Sequence, residues 1–211
     1  MPRLDLRTAD GIRLAAIHDR PEAAPPDVGP RAAVVAHPHP LHGGTMENKV
    51  VWAIARALRE RGLHVIRFDF RGGGGSEGAH DEGDAERLDV AAALDHAESI
   101  AAGAPLLAGF SFGSWVAARV ATERAIAALL LVAPPVNLYA FPTLGEIAPP
   151  TTVVIAGDDE LIPAAEVEAW ARAQPAVTRL DRVPGATHLF HGRLRAVAAA
   201  ASRFAASCGK P

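Results

Sequence analysis

Two glycines flank a serine in the pentapeptide Gly109-Phe110-Ser111-Phe112-Gly113, near the middle of the chain. A serine hydroxyl attacks a carbonyl carbon only when a base removes its proton, so the side chain must stand clear of the backbone. The pentapeptide follows a short apolar run and precedes a helical pattern, and a sharp strand-to-helix turn exposes a serine in this way. The glycines carry no Cβ that could collide there, and either can adopt a positive φ. We therefore predict that Ser111 forms an acyl-enzyme.

A second Gly-x-Ser-x-Gly match, with Ser76 at its centre, lies in the glycine-rich run at residues 72–78. A polar loop punctuated by glycine follows it rather than a helix, so we favour Ser111 as the nucleophile. The same run also matches the Gly-x-Gly-x-x-Gly pattern of dinucleotide sites. No helix opens at its last glycine, however, and the acidic residues there would repel a pyrophosphate. We therefore predict a structural loop that Asp69 and Arg71 brace.

A nucleophilic serine also needs a histidine base and a carboxylate that orients it, in the chain order serine, acid, histidine. Two segments that each follow a predicted strand supply these residue types, at 157–163 (GDDELIP) and 185–191 (GATHLFH). The candidate acids are Asp158, Asp159 and Glu160. The candidate bases are His188 and His191. An acid without a catalytic role would instead bond the turn backbone or favour the positive end of a helix beginning at residue 163.

Backbone N–H groups usually stabilise the oxyanion of the tetrahedral intermediate, and one belongs to the residue after the nucleophile, here Phe112. The second comes from the loop after the strand predicted at residues 32–36. Proline has no N–H, which excludes Pro38 and Pro40 and leaves His39 or Leu41. Two prolines around His39 would fix its amide in one direction before a substrate arrives.

The same loop contains His37, His39 and His42, a His-x-His-x-x-His pattern close to the zinc ligands of the metallo-β-lactamase fold. Three imidazoles can hold zinc with an open coordination position. That pattern normally has an aspartate immediately before its last histidine, and Leu41 stands there instead. We therefore favour an oxyanion loop over a zinc site, and we predict an enzyme that needs no metal and no cofactor.

Apolar periodicity predicts the elements that must position these residues. Residues 3–8 and 12–17 read as a hairpin with an Asp-Gly turn, and the proline-rich stretch 21–30 reads as a surface connection. Strands at 32–36, 63–70, 105–110, 126–132, 151–156 and 177–183 then alternate with helices at 50–58, 86–101, from 114, at 163–173 and at 194–205. This alternation predicts an α/β fold with a mostly parallel sheet of about eight strands and helices on both faces. The proline-broken stretch between 132 and 151 is too short for a lid, so the site should be open.

The chain as a whole sets further limits. Its 211 residues, 49% of them hydrophobic, suit a single domain over 1–211. The net charge of −3 includes no excess of positive charge that would indicate binding to nucleic acid. The single cysteine, Cys208, cannot form an internal disulfide. The first residues lack the apolar stretch of a signal peptide, and the longest apolar run, 125–133, is too short to span a membrane. We therefore expect a cytoplasmic protein without a membrane partner.

Four motifs occur in order along residues 32–195, and together they resemble the small, lidless bacterial α/β-hydrolases. These proteins are relatives of the dienelactone hydrolases and of the acyl hydrolases of the cocaine-esterase type. The motifs are 37–46 (HPHPLHGGTM), 67–72 (RFDFRG), 109–113 (GFSFG) and 184–194 (PGATHLFHGRL). The resemblance implies the α/β-hydrolase fold and a Ser-His-Asp triad acting on a small-molecule ester.

The resemblance also narrows the site residues. It favours His188 as the base, in agreement with the position of His188 just past the last strand, and it favours His39 over Leu41 in the oxyanion hole. In the resembled pattern the acid precedes a polar residue, an apolar pair and often proline, so counting back from Pro163 selects Asp159. Counting forward from Gly157 selects Glu160.

We predict a serine esterase that prefers short acyl groups. The alternatives are a catalytically silent binding module of the same fold, or a hydrolase that acts on thioesters or lactones or transfers the acyl group.

Overall fold

A computed structural model describes residues 3–22 and 31–208. Within these two ranges the elements are eight strands and five α-helices, with two short 3-10 turns at Pro40–His42 and Phe141–Thr143. The strands are β1 (Arg3–Arg7), β2 (Arg13–Asp19), β3 (Arg31–Ala36), β4 (Leu63–Phe68), β5 (Leu106–Phe110), β6 (Ala128–Val132), β7 (Thr151–Ala156) and β8 (Val177–Val183). The helices are α1 (Lys49–Glu60), α2 (Glu86–Ile100), α3 (Phe112–Glu123), α4 (Ala164–Ala173) and α5 (Leu194–Ser207).

The eight strands form one sheet in the order β1-β2-β4-β3-β5-β6-β7-β8. The β1–β2 and β2–β4 pairs are antiparallel, and the other pairs are parallel. The predicted α/β fold with a mostly parallel sheet is therefore confirmed. Every residue of β5, β6 and β7 is buried, as expected for central parallel strands covered on both faces.

Helices cover both faces of the sheet, as predicted. Alternate strand residues point to opposite faces, so Val34 and Leu107 pack with α2 and α3, whereas Val35 and Ala108 pack with α1 and α5. The start of α1 is fixed by Asn48, whose side chain accepts the Val50 N–H at 2.9 Å. Two apolar layers thus hold the carboxyl edge of the parallel strands rigid.

Several predicted boundaries were wrong by one or two residues, and two of them are instructive. The strand predicted to reach residue 70 ends at Phe68, although Phe70 is fully buried. The third helix begins at Phe112, immediately after Ser111, rather than near residue 114. Apolar periodicity reports burial and not hydrogen-bonded pairing, so it extends a strand into any buried segment that follows it. The predicted connection at 21–30 lies mostly outside the described residues.

The glycine-rich run after β4 is a structural loop, and Asp69 braces it as predicted. Its carboxylate accepts the Gly75 N–H at 3.0 Å, and a Cβ on Gly74 would lie 2.1 Å from Asp69 Oδ2. The Ser76 hydroxyl donates to the Asp69 carbonyl at 2.6 Å and accepts the Ala15 N–H at 3.0 Å. Because both of its hydrogen-bonding functions serve the loop, Ser76 is not exposed for attack on a substrate.

Arg71 braces the same loop from its other side, also as predicted. Its guanidinium lies 2.7 Å from the buried carboxylate of Asp89 in α2 and 2.8 Å from that of Asp10 in the β1–β2 turn. The backbone N–H of Arg71 also donates to the Asp89 carboxylate, at 2.9 Å. The loop is thereby tied to a helix and to the hairpin at the edge of the sheet.

The connection between β6 and β7 carries no lid within the described residues, in agreement with the sequence. Its Phe141 and Ile147 side chains are buried in the core, which holds the connection against the body of the molecule. None of the helices in the described ranges combines the length and apolar composition that a bilayer crossing demands.

Candidate active site

Ser111 stands at the turn between β5 and α3 with φ 53° and ψ −121°. A positive φ is unfavourable for a residue with a side chain, and such backbone strain collects at functional sites. The prediction that Gly109 or Gly113 could supply a positive φ was wrong, because Ser111 itself adopts it. The glycines are required by close approach instead. A Cβ on Gly109 would lie 2.3 Å from the Gly113 carbonyl oxygen, and one on Gly113 would lie 2.4 Å from the His37 carbonyl oxygen.

We expect the substitution Gly113→Ala to lower the free energy of unfolding by at least about 2 kcal/mol, because the clashing atoms belong to the backbone and cannot rotate away. Gly145→Ala is the matched control, since nothing lies within 4 Å of a Cβ there. Its effect should stay within about 1 kcal/mol. Urea unfolding of both variants measures the difference. Equal stabilities would contradict the tight packing of the turn.

His188 and Asp159 continue from Ser111 as a chain of hydrogen bonds. His188 Nε2 lies 2.9 Å from Ser111 Oγ, and His188 Nδ1 lies 2.9 Å from Asp159 Oδ2. The side chains of His188 and Asp159 are only 7% and 2% exposed. The other carboxylate oxygen of Asp159 accepts the N–H groups of Leu161 and Ile162, each at 2.9 Å. These bonds fix the carboxylate so that it faces Nδ1, which leaves Nε2 to face the serine hydroxyl.

The rival acids and the rival histidine lie elsewhere. Asp158 is exposed, and its N–H donates to the Ala186 carbonyl at 2.9 Å. Glu160 accepts the backbone N–H of His188 at 3.0 Å, a contact that sequence analysis did not foresee. His191 is exposed in the turn before α5. The structure therefore brings Asp159 to the His188 ring, while Glu160 holds the backbone of the same histidine.

Two backbone N–H groups beside the serine donate to no acceptor among the described residues. They belong to His39 and Phe112. The Leu41 N–H, by contrast, donates to His39 Nδ1 at 3.3 Å. His39 follows β3 and Phe112 follows β5, two neighbouring parallel strands whose carboxyl ends meet where the strand order reverses. Both residues line the cleft that contains Ser111.

The cleft at Ser111 has a volume of about 430 Å³ and a largely apolar wall. Sequence analysis did not identify this wall, because its leucines come from three separate loops: Leu138, Leu161 and Leu189. These side chains are 63%, 56% and 43% exposed. Phe112 lines the cleft, whereas Phe110 is fully buried in the core. A second cleft of about 530 Å³ adjoins the first and shares Leu138 and Tyr139 with it.

His37 does not join His39 and His42 as a third ligand. Its ring is fully buried, its Nε2 accepts the Phe70 N–H at 2.9 Å, and its Nδ1 lies 2.5 Å from the Pro38 carbonyl oxygen. Both nitrogens are therefore engaged with the backbone. The His39 and His42 rings stack on each other with centroids 4.4 Å apart. The predicted alternative of a zinc site formed by these three histidines does not fit this arrangement.

Burial lowers the pKa of His37 from 6.5 to about 4. Between these values the unfolded chain binds a proton that the folded protein does not. The free energy of unfolding therefore falls as the pH falls from about 6.5 to 4, and no part of it is lost through His37 above that window. We expect the free energy of unfolding, measured in urea, to fall across this window, and His18, whose pKa burial also lowers to about 4, adds to the fall. The His37 ring resonance in an NMR titration isolates its share. Titration of that resonance near pH 6.5 would contradict the assignment.

Comparisons with known proteins show the family of this chain. The model of the family described as serine aminopeptidase, S33, matches residues 29–145, which include His39 and Ser111 but end before Asp159. The structure of an alpha-beta serine hydrolase homologue from Coxiella burnetii is similar at 37% identity and a TM-score of 0.87, over 96% of each chain. An α/β serine hydrolase without lid from Xanthomonas campestris is 33% identical with a TM-score of 0.88, over all of this chain and 96% of that one.

An uncharacterized protein of Rickettsia prowazekii is 39% identical over an aligned length of 142, and the alignment covers 64% of this chain. The chain spans only 60% of the length of that relative.

Proposed function

Because the chain belongs to the serine aminopeptidase S33 family of α/β serine hydrolases, we propose that it hydrolyses carboxylic esters through an acyl-enzyme on Ser111. The observation that supports this most directly is the continuous hydrogen-bond chain from Asp159 through His188 to the Ser111 hydroxyl. A catalytically silent binding module has no need of a strained serine in line with a histidine and a buried carboxylate. The intact chain of contacts therefore favours an enzyme.

The reaction begins when Ser111 Oγ attacks the ester carbonyl carbon and His188 Nε2 takes the hydroxyl proton. Asp159 holds the imidazole through Nδ1 and stabilises the imidazolium that forms. The imidazolium then gives the proton to the leaving alcohol, and the acyl group remains on Ser111. Water attacks this acyl-enzyme while His188 takes the water proton, and His188 then returns the proton to Ser111 Oγ as the free acid leaves.

The tetrahedral intermediate carries a negative charge on the former carbonyl oxygen. We assign its stabilisation to the N–H groups of Phe112 and His39, which have no other acceptor among residues 3–22 and 31–208. The Leu41 N–H is engaged with His39 Nδ1, which supports His39 as the second donor. Pro38 and Pro40 hold this amide in place before the substrate binds.

The cleft supports a small apolar ester as the substrate. A volume of about 430 Å³ accommodates a small molecule, and exposed leucines around it favour an apolar acyl or leaving group. The mechanism requires no metal and no cofactor. Thioesters and lactones pass through the same tetrahedral intermediate, so they belong to the class of substrates that the site can process.

A panel of chromogenic substrates tests this proposal. We expect p-nitrophenyl acetate and butyrate to be turned over with saturation kinetics, and an aminoacyl p-nitroanilide, the substrate type of an aminopeptidase, to be turned over much more slowly. Ser76→Ala serves as the matched control and should retain the wild-type kcat. Faster turnover of the anilide than of the esters would contradict the proposed esterase and indicate a peptidase. No turnover of any substrate by folded protein would favour the silent binding module.

A further inference from the structure

A cluster of metal-ligating side chains lies beside the cleft and outside the hydrogen-bond chain at Ser111. The loop before α2 brings His80 and Glu82 against His39. One donor atom from each of these three residues lies within 4.8 Å of the donor atoms of the other two. The His39 and His80 ring centroids are 4.5 Å apart. Glu82 lines the larger cleft and His39 the smaller one, so the cluster stands at the boundary between the two.

His80 is buried, with a side chain that is only 4% exposed. Its Nδ1 lies beside the Glu86 carboxylate, but its Nε2 has no hydrogen-bond partner within the described part of the chain. A buried ring nitrogen in this condition is unfavourable unless another group satisfies it. His80 Nε2 lies 3.7 Å from Glu82 Oε1, so a cation between them could contact both.

A buried carboxylate stands behind His80 on the opposite side of the ring. Glu86 Oε1 lies 2.6 Å from His80 Nδ1, and the Glu86 side chain is fully buried. Glu86 is itself held by the N–H groups of Asp81 and Gly83, at 2.9 and 2.8 Å. A carboxylate in this position favours the proton on Nδ1 and orients the other nitrogen toward a metal, as is common for metal-binding histidines.

We propose that His39, His80 and Glu82 form a binding site for a divalent transition metal of the zinc class. Two imidazoles and one carboxylate are a ligand set that Zn²⁺ accepts, with a fourth position left for water. Bond lengths of about 2.1 Å require donor atoms roughly 3.5 Å apart in a tetrahedral site. The donor atoms, which lie within 4.8 Å of one another, therefore need to close by up to about 1.3 Å.

Metal binding would change the hydrogen bonding of His39. A neutral imidazole has one lone pair in the plane of its ring, so a metal on either nitrogen of His39 would displace the Leu41 N–H from Nδ1. A metal at this site would tie the His39 loop to the loop that precedes α2. It would thereby hold the backbone N–H that we assign to the oxyanion, a positioning effect that is separate from the chemistry at Ser111.

Titration of the full chain with Co²⁺ after chelator treatment tests the site without any measurement of hydrolysis. We expect one equivalent of Co²⁺ to produce the visible d–d bands of tetrahedral coordination, and Zn²⁺ to abolish them. His80→Asn should remove the bands. Glu82→Gln should weaken Co²⁺ binding at least about 10-fold, and because the Glu82 side chain is 80% exposed this variant should fold normally.

Control variants distinguish Co²⁺ binding at this site from binding to other exposed side chains. They also make the test independent of the proposed hydrolase activity. Glu146→Gln and His191→Asn replace exposed residues and should bind Co²⁺ like the wild type. Ser111→Ala should also bind normally, because the metal site does not depend on the nucleophile. Absence of the d–d bands in the wild type would overturn the proposal. Bands that persist unchanged in both Glu82→Gln and His80→Asn would also overturn it, because the metal would then lie elsewhere.

Discussion

Replacement of Ser111 by alanine is expected to lower kcat for ester hydrolysis by at least about 10³-fold while the fold is retained. The reason is that the proposed reaction proceeds through a covalent bond to Oγ, which alanine lacks. Residual turnover would come only from substrate binding and from the oxyanion donors. Steady-state kinetics with p-nitrophenyl butyrate, together with circular dichroism, measure both parts of this expectation.

Ser76→Ala is the matched control for Ser111→Ala, because both serines stand in a Gly-x-Ser-x-Gly sequence. Ser76 makes two hydrogen bonds within its loop, so its loss should reduce stability by about 1 kcal/mol per bond and leave kcat unchanged. A Ser111→Ala protein with wild-type turnover, or a Ser76→Ala protein without activity, would contradict the assignment of the nucleophile.

The second large effect is expected from Asp159→Asn, with a fall in kcat of about 10⁴-fold at neutral pH. The Asp159 carboxylate can only accept a hydrogen bond from His188 Nδ1, which keeps Nε2 free to accept the serine proton. An asparagine amide group can instead donate to Nδ1 and stabilise the wrong tautomer. It also removes the negative charge that stabilises the imidazolium.

Two neighbouring substitutions make this test specific. Asp158→Asn alters an exposed side chain and should change kcat less than about 3-fold. Glu160→Gln keeps an oxygen that can accept the His188 N–H, so its effect should also be much smaller than that of Asp159→Asn. A larger loss in Glu160→Gln than in Asp159→Asn would identify Glu160 as the functional acid.

The α/β fold and the mostly parallel character of its sheet could be predicted because their signals are local. Runs of apolar residues such as those of β5 and β6 are buried on both faces, and the stripe of α1 repeats at helical spacing. The prolines between β6 and β7 exclude a helical lid, since they break any helix that would form there. Ends of elements were less predictable, as at Phe70, because a buried residue need not belong to a hydrogen-bonded strand.

The acid opposite His188 could not be derived from the sequence alone. Asp159 and Glu160 are adjacent, and counting from Gly157 or from Pro163 selects different residues. In the structure the turn after β7 directs Asp159 toward the ring nitrogen and Glu160 toward the backbone N–H of the same histidine. Two adjacent acids thus make different contacts with His188, and the sequence alone does not show which of them faces the ring.

The roles of the histidines could not be predicted either, because their contacts are with residues distant in the sequence. His37 and His39 are two residues apart, but His37 serves the backbone of Phe70 whereas His39 faces the cleft and His80. The pairing of His39 with His80 joins loops that follow different strands, and no spacing in the sequence indicates it. The apolar rim of the cleft is likewise assembled from leucines of three loops.

The most direct test of an activated Ser111 is intact-mass analysis after treatment with a fluorophosphonate probe, followed by peptide mapping. We expect a single adduct on Ser111 that forms rapidly in the wild type and is lost in His188→Ala. Such a result would establish that His188 activates this serine, whatever ester is the natural substrate. Folded wild-type protein without an adduct, or with an adduct on a different residue, would contradict the proposed mechanism.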